Sequence, residues 1–210
     1  MSRLLYRSFE EADFDRIAEI LRALWHEDAC GRPFGSLEAS HELAVHLSHS
    51  TFSQTVLVDD VPIGLVLARS GHERTAQMRA WEQRCEDYLK KMAELDSRAQ
   101  ASYQMKLRAE RHVNAELLKA SGVSDDFEVT LLIVGGSAHH RGIGSVLLDA
   151  ALSYLFSQGA PSAFLYTDSC CSWGFYDRCG LKRMATHRAT REERKLLPRE
   201  MYLYEYKRSD

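Results

Sequence analysis

The sequence predicts an α/β fold, and three observations carry that prediction. Apolar runs of strand length alternate with stretches whose apolar residues recur at helical spacing. Residues 127–148 take an aliphatic, β-branched run through a basic, glycine-bearing loop straight into a helix. A charged, proline-free segment over residues 73–121 carries a heptad-like apolar stripe.

The elements follow in order. Residues 3–8 read as a short opening strand. Glu11 to Asp13 offer helix-start chemistry, and Phe14, Ile17, Ala18, Ile20, Leu21, Leu24 and Trp25 repeat at helical spacing. Gly31-Arg32-Pro33-Phe34-Gly35 reads as a loop, with Ser36 as the N-cap of a second helix that carries Leu37, Leu43, Ala44 and Leu47. His41, His46 and His49 lie on that helix at spacings of five and three. A helical metal pair favours i, i+4 with a nearby carboxylate or thiolate, so solvated histidines are expected and no metal.

Thr51–Asp59 and Val61–Arg69 form a β-hairpin around Asp59, Asp60 and Pro62. Trp81, Cys85, Tyr88, Met92, Leu95 and Ala99 then make the stripe, which fades near 96–102 before a second helical run with Tyr103, Leu107, Val113, Leu117 and Leu118. A helical hairpin lets the chain go out and return. Its stripe needs cover from the return helix, the core or a second subunit. A homodimer is therefore one expectation.

Val129–Val134 is the buried strand. After the loop, Val146, Leu147, Ala150, Ala151, Tyr154 and Leu155 complete a helix that Gly159 and Pro161 end. Ala163–Thr167 is a strand, Cys170–Cys179 a helix, and Leu181–His187 and Met201–Tyr206 two closing strands joined by an exposed loop at 190–198.

Composition narrows the function. With 45% hydrophobic residues in 210 there is material for a real core, and a net charge of −3 does not suggest a nucleic-acid partner. Five cysteines give an odd count with no disulfide or zinc spacing, which fits a reducing cytosol. The chain opens without a signal-type apolar run, and no stretch is long enough to span a membrane. A cytoplasmic location is expected.

The strand–loop–helix unit has the physics of an anion site. The first turn of a helix offers free N–H groups and the positive end of its dipole, and glycines let a phosphate come close. Ser145 adds a hydroxyl and Arg141 a fixed charge. No Walker sequence is present, and the third glycine of a dinucleotide fingerprint is missing.

Here the chain resembles the GNAT (general-control-type N-acetyltransferase) superfamily. Val134, followed eight residues on by Gly142-Ile143-Gly144, is similar to that family's acyl-CoA pyrophosphate loop, Arg/Gln-x-x-Gly-x-Gly/Ala, with His139 at its first position. Residues 168–182 are similar to the family's late helix and turn, through Phe175, Tyr176, Asp177, Gly180 and Leu181, with Ser169 where asparagine is common. The resemblance is firm over about 125–188.

It implies a mixed, mostly antiparallel sheet flanked by helices, one domain over 1–210, with 73–121 as an insertion between strands three and four. It implies acetyl-CoA as donor and direct transfer to a primary amine, small molecule or peptide, in a ternary complex. The pantetheine arm would lie where the strands on either side of the central helix splay apart. Leu132, Ile133, Val134, His139, His140, Arg141, Gly142, Ile143, Gly144, Ser145, Ser169 and Tyr176 would hold the donor, with an oxyanion-binding N–H near Val134. Tyr176 would protonate the departing thiolate. Glu128 is the candidate base and Asp168 its rival. The first two helices would wall the acceptor site, bringing Arg32 and Phe34 near substrate, though loop residues need no such role. Cys170 and Cys171 have no His–Asp partner pattern, and direct transfer needs no thiol nucleophile. The alternative is a catalytically weak acyl-CoA-binding module with the insertion as a protein-interaction arm.

Overall fold

A computed structural model describes residues 3–26, 31–136 and 142–208. A seven-stranded sheet runs in the order β1-β2-β3-β4-β5-β7-β6. β1 (Leu4–Arg7), β2 (Phe52–Val58), β3 (Val61–Ser70) and β4 (Phe127–Val134) pair antiparallel in turn. β7 (Glu200–Lys207) joins β5 (Ser162–Asp168) to β6 (Lys182–Arg188), again antiparallel. These two blocks meet at β4 and β5, which run parallel and share a single rung, Glu128 opposite Phe164.

One face of the sheet packs on α4 (Ile143–Ser157), with Leu147, Leu148, Ala151 and Leu155 against Val66, Ala68, Val129 and Leu165. The opposite face carries α1 (Phe14–Trp25) and α2 (Arg32–His49), where Ile17, Leu21, Leu43 and Ala44 meet Leu65, Leu67, Leu131 and Ile133. Asp13, in a 3-10 turn before α1, is buried but held by both Arg7 terminal nitrogens, at 2.7 and 2.8 Å.

The start of α2 differs from expectation. It begins at Arg32 rather than after a loop, because Gly31 takes φ 85° and Pro33 sits in the first turn, where a missing N–H costs nothing. Phe34 is thereby driven into the core beside Met92 and Tyr103, and Arg32 reaches Glu19 at 3.3 Å. The β2–β3 turn is of the mirror-image type that suits twisted strands, with Asp59 and Asp60 both at positive φ.

The insertion is α3 (Ala76–Ser121), capped by Thr75 and broken once, at Asp96. Asp96 is extended there, and its Oδ1 caps the second arm by accepting from Arg98 and Ala99 N, each 2.9 Å away. The two arms are about 30 and 37 Å long, yet Gly71 N donates to Asp126 O at 2.8 Å. The arms therefore fold back on one another. The stripe is covered within the chain: Trp81 stacks on Phe14 with centroids 5.2 Å apart, Tyr88 stacks on the same ring, and Met92 meets Phe34 and Tyr103. The return arm lays Val113 and Leu117 on Phe164, Met201 and Leu203 of the second block.

Three further expectations need correction. His41 is buried and bonded to the Tyr103 hydroxyl at 2.9 Å, and His46 is half-buried, so these are not solvated histidines. The late helix shrinks to α5 (Gly174–Arg178), since the chain before it is occupied with turns. The 190–198 connection contains a 3-10 turn, Glu193–Lys195, and buries Leu197. Among the described residues, no helix is long and apolar enough to cross a membrane.

Candidate active site

The β4–β5 junction sets the geometry. Glu128 opposite Phe164 is the single rung between these parallel strands, and no other ladder pairing joins them on either side of it.

On the α4 face lies the glycine turn. Gly142 caps α4 at φ 73°, a conformation that disfavours any side chain. Gly144 packs against the Phe175 ring; a Cβ there would sit 3.4 Å from it. Ser145 Oγ is 3.9 Å from Cys179 Sγ. The first turn of α4 thus rests on α5. Tyr176 is half-buried beside them, its ring 5.8 Å from that of Tyr204. Burial first, then the neighbouring Cys171, Cys179 and Asp168, push its hydroxyl far above the ordinary tyrosine range. Near neutral pH the free protein therefore keeps this hydroxyl protonated. Ile143 is buried in the core, so only its backbone faces the turn. Ser169 exchanges bonds with Glu200, donating N–H at 2.9 Å and accepting at its Oγ at 3.2 Å. His139, His140 and Arg141 lie outside the described residues.

On the other face a β-bulge shapes β4. Leu67 pairs with Leu131 and Ala68 with Val129, so Thr130 is the extra residue. The bulge turns Thr130 and Leu131 to the same side: Leu131 enters the core under α1 and α2, and Thr130 Oγ1 meets Ser50 Oγ at 2.6 Å. Leu132 and Val134 return to the α4 side, while Ile133 is buried under α1 and α2. Glu128 lies below the bulge, beside Thr130. It accepts from Arg69 Nη2 at 2.9 Å, and the same nitrogen donates to Asp125 at 2.8 Å. Burial raises the Glu128 pKa; Arg69 opposes the rise by bonding and by charge. Tyr166, on β5, is pushed up by burial and then by the Glu128 charge.

A cleft of about 390 Å³ opens here between the end of α2, the β3–α3 linker and the start of β4. Glu128, Thr130, Arg69, His46, His49 and Asp125 are in its wall. Between α2 and the return arm of α3 sits a second group of charges. His26 donates to Glu42 at 2.6 Å and to Glu38 at 3.1 Å. Glu110, with Lys106 at 3.7 Å, is raised to about 7, by burial first and then by Glu42 and Asp168. Asp168 ends β5, where its Oδ1 accepts from Cys170 N at 2.6 Å.

So the sheet separates the candidate acid, Tyr176, on the α4 side, from the candidate base, Glu128, in the cleft on the other. Arg69, Tyr166 and Glu110 escaped the sequence reading. Arg69 left one trace, a lone charge closing an apolar strand; Glu110 is indistinguishable from the other charges of its helix. Among the described residues no three His, Cys, Asp or Glu side chains gather as a metal site.

The model of the acetyltransferase (GNAT) family matches residues 14–181. A comparison with curated proteins gave no match. Solved structures similar to this chain include PH1933 from Pyrococcus horikoshii OT3, at 9% identity and a TM-score of 0.62, covering 99% of this chain and 100% of that one. An N-acetyltransferase from Staphylococcus aureus Mu50 aligns at 14% identity, 96% and 100% coverage and a TM-score of 0.55. The ribosomal-protein-S18-alanine N-acetyltransferase from Escherichia coli aligns at 10% identity, 99% and 96% coverage and a TM-score of 0.55. At such identities the likeness is one of fold.

Proposed function

This chain belongs to the acetyltransferase (GNAT) family, and from that premise we propose that it transfers an acetyl group from acetyl-CoA directly to a primary amine, of a small molecule or a peptide, in a ternary complex. We read residues 1–210 as one catalytic domain and 73–121 as an insertion within it. The observation that carries the reading is the one-rung junction of β4 and β5, with Tyr176 to one side of the sheet and Glu128 to the other.

Each residue then has a task. Acetyl-CoA supplies an activated acyl group on a thiolate leaving group. The backbone of Gly142, Ile143 and Gly144, with Ser145, receives the pyrophosphate at the positive end of α4. His139, His140 and Arg141 belong to the same loop by resemblance. The pantetheine arm would lie along the β4–β5 junction, beside Leu132 and Val134. Tyr176 is the candidate donor to the leaving sulfur: burial keeps its hydroxyl protonated in the free protein, and the thiolate charge that develops on that sulfur is what it would meet. Glu128 takes the proton of the incoming ammonium, directly or through a water in the cleft, since only the neutral amine attacks. Asp168, at the end of β5, stays a second candidate for that task. Holding both substrates at one junction supplies the rest of the acceleration. The net charge of −3 mildly favours a cationic acceptor. Acyl-CoA binding without transfer is the weaker reading, because the insertion lies folded on the body instead of standing free as an arm.

Calorimetric titration with acetyl-CoA and free CoA tests the proposal, repeated on Gly142→Glu. Micromolar binding by the native chain, lost in the variant, is the expected result; no binding of either ligand removes the proposal. Release of thiol in an amine screen should then fall about 100-fold to 10,000-fold in Tyr176→Phe.

A further inference from the structure

Arg69 sits at the end of an otherwise apolar strand, and its side chain is only 11% exposed although it borders an open cleft. A guanidinium there would ordinarily extend into water along its aliphatic stem. Instead it is turned inward. Its Cα is in register with that of Glu128 on the neighbouring strand. Its Nη2 joins Glu128 Oε2 at 2.9 Å to Asp125 Oδ1 at 2.8 Å, while Nη1 reaches His72 Nδ1 at 3.3 Å and Gly71 O at 3.4 Å. Asp125 and Gly71 stand at the two roots of the α3 insertion, which the Gly71–Asp126 backbone bond holds together.

We propose that Arg69 is the positioning residue of the acceptor-side base: it fixes the aim of the Glu128 carboxylate into the cleft and ties the roots of the insertion to it. This rests on the reading of Glu128 as the base.

The groups around Glu128 are few. From β3 comes Arg69, from the loop before β4 Asp125, from α2 His46 and His49, from β5 Tyr166, and from the linker His72, Glu73 and Arg74. Arg74 is taken by Glu82. Among the described residues, Arg69 is thus the permanent cation in contact with Glu128. Without it, only the weaker pull of His49 opposes burial and the Asp125 charge, and the carboxyl keeps its proton to higher pH. A base that holds its proton cannot take one from the ammonium. Removing Asp125 has the opposite sign. A lysine at 69 keeps the charge but loses the planar fork that serves two carboxylates from one side.

The test is direct titration of the Glu128 side-chain carbon by NMR in protein labelled with ¹³C-glutamate, the signal being assigned by its loss in Glu128→Gln. The midpoint should move up in Arg69→Met, return toward the native value in Arg69→Lys, and move down in Asp125→Asn. A midpoint unmoved in all three overturns the proposal. Should Arg69→Met fail to fold, the lysine and asparagine variants still decide it. A pH–rate profile with n-butylamine and spermidine as acceptors separates this inference from the one beneath it. The acidic limb should follow the NMR midpoint, and kcat/KM near neutral pH should fall about 10-fold to 100-fold in Arg69→Met. A midpoint that moves while the limb stays leaves the Arg69–Glu128 coupling intact and removes Glu128 as the base. A loss of rate equal at every pH, with the midpoint unmoved, reduces Arg69 to a packing role.

Discussion

His26 joins the end of α1 to α2, and its ring meets two carboxylates at once. Burial pulls its pKa down, but the bonds to Glu38 and Glu42 outweigh that and raise it to about 9, from an ordinary 6.5. The folded state therefore binds this proton more tightly than the unfolded chain. The stabilisation is whole below about pH 6.5 and is lost as pH rises through about 9. His41 has the reverse sign. Burial holds it down to about 4, so its contribution is present above 6.5 and is lost as pH falls through about 4. Urea midpoints taken from pH 4 to pH 10 check both. His26→Gln should flatten the alkaline decline and leave the acidic one.

Single residues were unevenly legible in the sequence. Gly142 and Tyr176 stand in local patterns that fix their surroundings within a few positions. Arg69 becomes meaningful only when β3 pairs with β4 in the observed register, and register is not written in either strand alone. His41 looked solvated because the helix it faces lies sixty residues away.

Among the elements, the α3 hairpin shows how far periodicity reaches. Its stripe was visible and so was the weakening near residue 96, because apolar spacing is a local property. What the stripe packs against was not visible, since the same spacing serves a return helix, a core or a second copy. The structure resolves this with Trp81 on Phe14 and Met92 on Phe34 and Tyr103. Met92 is fully buried, so Met92→Ala should cost about 2–5 kcal/mol in urea unfolding. Asp96→Ala, losing only a cap, should cost about 1 kcal/mol. The start of α2 was misplaced for a physical reason the sequence does contain: proline after glycine reads as a loop, but it equally suits the first turn of a helix.

At the level of the whole molecule, two blocks of sheet are joined by one rung, by α4 beneath and by the insertion above. A donor lying between β4 and β5 would touch both blocks, while the unfolded chain would not bind it. Acetyl-CoA at about a hundred times its Kd should therefore add roughly 2.7 kcal/mol and raise the thermal midpoint by roughly 5–10 °C. Gly142→Glu should abolish that rise. The overall architecture was legible because the strand–loop–helix unit and the late turn lie at a characteristic separation; the charges between α2 and α3 were not, since segments far apart in sequence bring them together.

The backbone bond from Gly71 to Asp126 also bears on the order of folding. With the insertion slack, pairing β3 to β4 would mean closing a loop of about 55 residues, at roughly 3–4 kcal/mol of chain entropy. A hairpin that forms first brings the loop ends together and removes most of that barrier. On this view α3 is a splint for the central strands. Met92→Ala should then slow refolding more than it hastens unfolding, giving a φ-value nearer one than zero.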